Sequence, residues 1–136
     1  MTNVPVLTDA TLTLENRVAT LTFNRDDVRN ALTGTALIDD ITTTVDWVNA
    51  CADVSVLIIT GAGKAFSSGG NVKEMQDKQG LFGGSTAQLQ ENYRQGIQKI
   101  PLAMQSIEVP TIAAINGAAI GAGFDLCNMC DIRIGC

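Results

Sequence analysis

Residues 10–23, ATLTLENRVATLTF, alternate apolar and polar positions: Leu12 and Leu14, then Ala19, Leu21 and Phe23 set against Val18, Thr20 and Thr22. A period of two predicts two strands around a tight turn at Glu15-Asn16, a half-buried hairpin. A polar loop, NRDDVRNAL, follows, and the period then changes. Leu37, Ile41, Val45 and Val48 recur at spacings of four, four and three. That is one apolar helical stripe, with Thr33 or Thr35 as its cap and an end near Cys51-Ala52-Asp53. Asp39 and Asp40 fall on the outward side of this helix and Asp26 and Asp27 in the loop, so all four are expected to be solvated. VSVLIIT (54–60) is apolar and β-branched almost throughout, which predicts a strand covered on both faces.

This strand runs into a glycine-rich loop, GAGKAFSSGGNVKEM (61–75). KQGLFGGST (78–86) reads as a mobile stretch, and TAQLQENYRQGIQKIPLAMQSI as helix interrupted near Pro101. TIAAI (111–115) is a second buried strand, NGAAIGAG (116–123) a second glycine-rich turn, FDLCNMC a short helix and DIRIGC a closing strand. Strands alternating with helices predict an α/β architecture in a single domain, with no repeat or linker. Tyr93 and Trp47 are lone aromatics expected to pack.

Composition narrows the chemistry. Of 136 residues 46% are hydrophobic and 17% charged, enough to build a core, and the formal net charge is −5. There is no histidine. A Ser-His-Asp triad, a Cys-His pair and an HExxH zinc site are therefore impossible within this chain, leaving carboxylates, Lys, Tyr, Cys or the backbone for acid–base work. The scattered Lys73, Lys78, Arg94 and Lys99 form no dense basic face, which disfavours nucleic acid as a partner. The stretch Thr111 to Phe124 is too short for a bilayer, which takes ~20 residues, so no membrane partner is expected. The start, MTNVPVLTDATL, has neither a basic nor an apolar leader region, and the four cysteines read as reduced thiols of a cytoplasmic protein.

Both glycine-rich loops follow a buried strand and lead to a helix. Glycine lets backbone N–H groups turn towards a ligand, and a helix start offers unpaired donors. The two loops can present two N–H groups to one oxygen, or they can be tight connections and nothing more. Gly61-Ala-Gly63 begins a dinucleotide fingerprint but has Phe66 in place of its third glycine, and Gly63-Lys64 is followed by Ala where a phosphate loop needs Ser or Thr. Cys127-Asn-Met-Cys130 lacks a second pair and falls inside a helix, so it reads as small buried residues and not as a metal or redox site. Asp125 opens a helix otherwise made of Phe, Leu, Met and Cys. Apolar surroundings would favour its protonated form and a general acid or base role, while helix N-terminal donors pull the other way and suit a purely local acid.

AFSSGGNVKEM and NGAAIGAGFDLCNMCDIRI together resemble the two signature segments of the enoyl-CoA hydratase/isomerase, or crotonase, family. NRDDVRNAL resembles that family's N-terminal loop, so the likeness runs from about residue 10 to the C-terminus. It implies a spiral of ββα units that binds an acyl-CoA thioester, with the enolate oxygen held by the backbone N–H groups of Gly70 and Ala122. It further implies substrate contacts at Asp27, Val28 and Arg29 and at Ser68, Gly70, Asn71, Val72 and Ala122. Asp125 takes a catalytic position where hydratases usually carry Glu and dienoyl-CoA isomerases carry Asp.

No metal or separate cofactor is implied, since CoA belongs to the substrate. Hydration of a 2-enoyl-CoA is the leading expectation. Isomerisation of a dienoyl-CoA, or acyl-CoA binding by a catalytically incomplete fragment, is the alternative. Compared with the family pattern, residues 1–136 correspond to the N-terminal part of the acyl-CoA-binding core. The second acid of a hydratase, the later ββα units and the helices that build a trimer or hexamer are expected beyond it.

Overall fold

The computed structural model describes residues 2–136. Strands β1 (Ala10–Glu15) and β2 (Val18–Phe23) pair antiparallel with Glu15 opposite Val18. The turn therefore centres on Asn16 and Arg17, one residue later than expected, with φ of 50° and 69°. Two consecutive left-handed residues twist the turn to match the strands, and Asn adopts that conformation more readily than most residues. Ala19, Leu21 and Phe23 are fully buried, as their alternation requires.

Helix α1 (Leu37–Ala50) buries the predicted stripe: Leu37, Ile41, Val45 and Val48 are all at most 1% exposed. Neither threonine holds the cap position, although Thr35 Oγ1 accepts from Leu37 N at 3.3 Å. Ala36 holds the cap position and gives its N–H to Asp9 Oδ2 at 2.7 Å. Thr35 sits one residue too early, its Oγ1 bonded back to the Ala31 carbonyl at 2.6 Å, and Thr33 faces elsewhere. Asp40 also departs from expectation, since it is buried and accepts from the N–H groups of Thr8 (3.0 Å) and Asp9 (2.7 Å). The chain before β1 lies against the start of α1, and its amides need an acceptor that a carboxylate supplies. Asp26, Asp27 and Asp39 are exposed.

The chain continues through β3 (Val56–Gly61), β4 (Ala65–Ser67), α2 (Val72–Asp77), α3 (Thr86–Gln95), α4 (Lys99–Ser106), β5 (Thr111–Ile115), β6 (Ala118–Ala119), α5 (Ala122–Met129) and β7 (Ile132–Gly135). The main sheet has the order β1-β2-β3-β5-β7, parallel from β2 onwards. Strands β4 and β6 leave it and pair with each other, Ala65 opposite Ala118 and Ser67 opposite Ala119. Each turn of the chain thus supplies a first strand to the main sheet, and β3 and β5 are followed by a short second strand in the small one. Strand β3 is covered less completely than its sequence suggests. Leu57 and Ile59 are fully buried on one face, while Val56 and Ile58 are only partly covered on the other.

Between β4 and β5 the helical stretch breaks at Gly96, not at Pro101. Pro101 is the third residue of α4, where its missing N–H has no intrahelical acceptor to lose. Ser85 and Gln88 form a reciprocal cap at the start of α3. Residues 78–86, read as mobile from their glycines, carry a 3₁₀ turn at Gly80–Phe82 and set the Phe82 ring edge-on to Tyr93, with centroids 5.9 Å apart.

Candidate active site

The two glycine-rich loops meet. The first passes through β4 into Ser68-Gly69-Gly70, and the second leaves β6 as Ile120-Gly121 and enters α5 at Ala122. Gly69 has φ +75°, and a Cβ there would collide with the Ile120 carbonyl and stand 2.9 Å from Ala122 N. Gly123 answers from the other side, since a Cβ on it would lie 2.5 Å from the Ser67 carbonyl oxygen. Only glycine at both positions lets the loops approach this closely.

A cavity of about 430 Å³ opens where they meet, lined among others by Ser68, Gly70, Val72, Gly121, Ala122 and Asp125. Neither Gly70 N nor Ala122 N has a hydrogen-bond acceptor among the described residues. For Ala122 this follows from its place as the first residue of α5, where the N–H has no intrahelical partner. For Gly70 it follows from the loop. Asn71 N is taken by Thr33 Oγ1 at 2.9 Å and Gly69 N by Ser67 Oγ at 3.1 Å, leaving the amide between them free.

The loop expected to hold substrate lies beside this cleft. Ser68 N donates to the Arg29 carbonyl at 2.9 Å and Ser68 Oγ to the Val28 carbonyl at 3.3 Å. Asp27, Val28 and Arg29 are thereby tied to the first glycine loop without lining the cavity. Arg25 forks between Asp27 (2.9 and 3.0 Å) and Asp9 (3.0 Å). The bonds to Arg25 hold the Asp27 carboxyl below the usual carboxylate range, and those to Asp27 and Asp9 push the guanidinium further up. Asn71 lies behind the cleft, capping α2 by accepting from Glu74 N at 3.2 Å.

Asp125 differs from expectation in one respect. Its neighbours are apolar, since it also borders a smaller cavity of about 140 Å³ with Ile97, Ile100, Pro101 and Met129. The residue itself is exposed, because it stands at the rim where the two cavities open. Tyr93 packs on Phe82 as expected and also lines the main cleft with Phe82, Met75 and Thr33. Only the helical phase of Tyr93 on α3 hinted at this, and nothing in the sequence located the facing wall. Cys127 and Cys130 are buried thiols of α5 and its end, as expected from their helical spacing. Burial pushes both up, Cys130 to about 11. Among the described residues no three His, Cys, Asp or Glu side chains gather as a metal would need, and no helix is long and apolar enough to cross a membrane.

Comparison with known proteins identifies the family. The enoyl-CoA hydratase/isomerase family model matches residues 13–135. The chain is 37% identical over 121 residues to a crotonyl-CoA hydratase of Syntrophomonas wolfei, covering 88% of this chain and 44% of that protein. It is 32% identical over 131 residues to the short-chain-enoyl-CoA hydratase of Clostridium acetobutylicum, covering 94% and 46%. The crystal structure of an enoyl-CoA hydratase from Bacillus anthracis superposes with a TM-score of 0.77 at 30% identity, over 94% of this chain and 47% of that one. The chain spans a little under half the length of these relatives. The architecture is the crotonase-like α/β fold, and the chain belongs to the enoyl-CoA hydratase/isomerase family.

Proposed function

We propose that this chain binds a 2-enoyl-CoA thioester and promotes its hydration through an enolate-like state. The observation that carries the reading is the pair of unpartnered amides, Gly70 N–H and Ala122 N–H, in one cleft with a carboxylate at its rim. When water oxygen adds to C3 of the enoyl group, the π electrons move towards the thioester oxygen, which gains negative charge. Donors already aimed at that oxygen stabilise the charge without reorganising, and removing one such donor typically costs ~2.7–4 kcal/mol. The α5 N-terminus adds the positive end of its dipole at Ala122.

Asp125 is suited to orient the water, take its proton, or deliver a proton to C2 as the enolate collapses. Asp is one methylene shorter than Glu, so the proton must travel further or the substrate sit nearer. That feature favours dienoyl-CoA isomerisation as the second reading. No metal or redox step enters, and CoA comes with the substrate. A homo-oligomer and a reducing, cytoplasmic setting accompany the proposal, the latter supported by four free cysteines, two of them buried.

The test pairs turnover with binding on the 136-residue chain. Hydration of crotonyl-CoA, with acetoacetyl-CoA bound competitively, is the expected result. Binding without turnover would leave an acyl-CoA-binding chain and reject the enzyme reading for it, whereas turnover of a dienoyl-CoA alone would favour the isomerase. Asp125→Asn is expected to lower turnover at least ~100-fold, the low end for a proton-transfer residue, with acetoacetyl-CoA affinity nearly intact. Unchanged turnover would remove Asp125 from the mechanism.

A further inference from the structure

Ser67, the last residue of β4, is fully buried and hydrogen-bonded to both glycine-rich loops and to the substrate-side loop. Its hydroxyl donates to the Asn30 carbonyl at 2.7 Å and accepts from Gly69 N at 3.1 Å. Its own carbonyl accepts from Ile120 N at 3.0 Å. Gly69 immediately precedes Gly70, and Ile120 stands two residues before Ala122. The packing repeats this arrangement, because the missing Cβ of Gly123 is the space that Ser67 Oγ and Cβ occupy, 2.9 and 2.7 Å from where that Cβ would be.

We propose that Ser67 is a positioning residue that sets the aim and spacing of the two amide donors, Gly70 N–H and Ala122 N–H. The proposal rests on the oxyanion reading above. Its hydroxyl fixes the turn at Gly69 by the local serine-to-amide bond that Ser forms two residues on. That bond occupies the Gly69 amide and leaves its neighbour Gly70 as the free donor. The Ser67 carbonyl meanwhile anchors the second loop from the same residue, so the distance between the donors is set across one residue, whose hydroxyl fixes the first loop, and not across the sheet. Small displacements matter in such a site, where a misplacement of about 1 Å can cost ~100-fold in rate.

Acetoacetyl-CoA tests this, because its bound enolate absorbs differently from its keto form and reports oxyanion stabilisation without requiring turnover. For Ser67→Ala in the 136-residue chain, the apparent pKa of bound acetoacetyl-CoA is expected to rise by about one unit, about a tenfold loss of enolate stabilisation. Affinity for free CoA, which has no carbonyl at this position, is expected to stay within about twofold. Amide exchange at Gly69 should quicken while that at Leu57 and Ile59 in β3 is unchanged. Ser67→Cys, which keeps a weak donor and acceptor on a somewhat larger atom, should recover part of the enolate. If the alanine variant fails to fold, an unchanged enolate fraction in Ser67→Cys despite quickened exchange at Gly69 overturns the proposal.

An enolate fraction at wild-type level in Ser67→Ala, or one in Ser67→Cys no higher than in Ser67→Ala, would overturn the proposal. So would a loss of enolate and of CoA affinity in equal proportion, the mark of a collapsed site. If the wild-type chain itself stabilises no enolate, the oxyanion reading fails and this inference goes with it. A stabilised wild type with an unaffected Ser67→Ala rejects the positioning role alone.

Discussion

The two loops that reach the cleft are secured by different chemistry. The first is held largely by side-chain hydrogen bonds. The buried Asn30 accepts from Arg25 N (2.8 Å) and donates to the carbonyls of Ala62 (3.1 Å) and Ala65 (2.9 Å). Asn116, at the start of the second loop and well before its donor, reaches across to the first, accepting from Gly61 N and donating to the carbonyls of Gly63 and Ala65. Thr33 and Ser67 complete the set. The second loop has a two-residue strand, the helix start and close packing at Gly123, and at Gly121 a Cβ would meet nothing within 4 Å. One donor is thus held by directional polar contacts and the other by backbone structure and steric fit. The first kind is sensitive to loss of an acceptor or donor, and the second to an added methyl.

The largest effect should come from Ala122→Pro. As the first residue of α5, position 122 accepts proline without loss of an intrahelical bond. Gly121, at φ 55° and ψ −125°, has the mirror image of the extended conformation favoured before proline. The substitution therefore removes the second donor while sparing the helix, and turnover is expected to fall ~100- to 1,000-fold with circular dichroism and melting temperature little changed. A variant that keeps its activity would show that the second loop supplies no donor.

Asn30→Ala comes next. It removes the three hydrogen bonds of a fully buried side chain, each worth ~1 kcal/mol, so a loss of about 3 kcal/mol in urea unfolding is expected. Gly123→Ala should cost somewhat less, about 2 kcal/mol, within the range of overpacking, since the Ser67 carbonyl and side chain must both shift to admit the methyl. If Gly123→Ala proves costlier than Asn30→Ala, the contrast between a bonded loop and a fitted one is reversed.

The smallest effect is at alkaline pH, near the base of the second loop. Cys130 is raised from 9.0 to about 11 by burial, so folding favours its neutral thiol. Its contribution is fully present below about pH 9 and is lost as pH rises through about 11. Stability followed by fluorescence across that window should fall more in the native chain than in Cys130→Ala. Equal slopes would show that the thiol is not the titrating group.

The periodic segments announced themselves because core burial dictates their pattern. The stripe of α1 and the alternation of β2 each read correctly from spacing alone. The misread positions depend on partners distant in sequence. Asp40 looks solvent-facing until the amides of Thr8 and Asp9 are placed against it, while Tyr93 packs on Phe82 as expected and faces the cleft as well. Strands β4 and β6 carry no periodic signal, being three and two residues long. The two amides that the structure leaves without an acceptor, Gly70 N–H and Ala122 N–H, are marked in the sequence by glycine spacing and family likeness. The side chains that hold them, Asn30, Ser67, Thr33 and Asn116, act on backbone atoms that no sequence pattern marks.

The separate pairing of β4 with β6 has a kinetic consequence. Ala65 meets Ala118 only after more than fifty intervening residues have been arranged, and the β2–β3 and β3–β5 pairings it depends on are also parallel and non-local. Such contacts are slow to form, because the chain gives up loop entropy before they reward it. Trp47, on α1 and bonded to the Asn3 carbonyl, senses the docking of an early, locally encoded helix. During refolding its fluorescence should recover before acyl-CoA binding does, making the binding site a late product of folding.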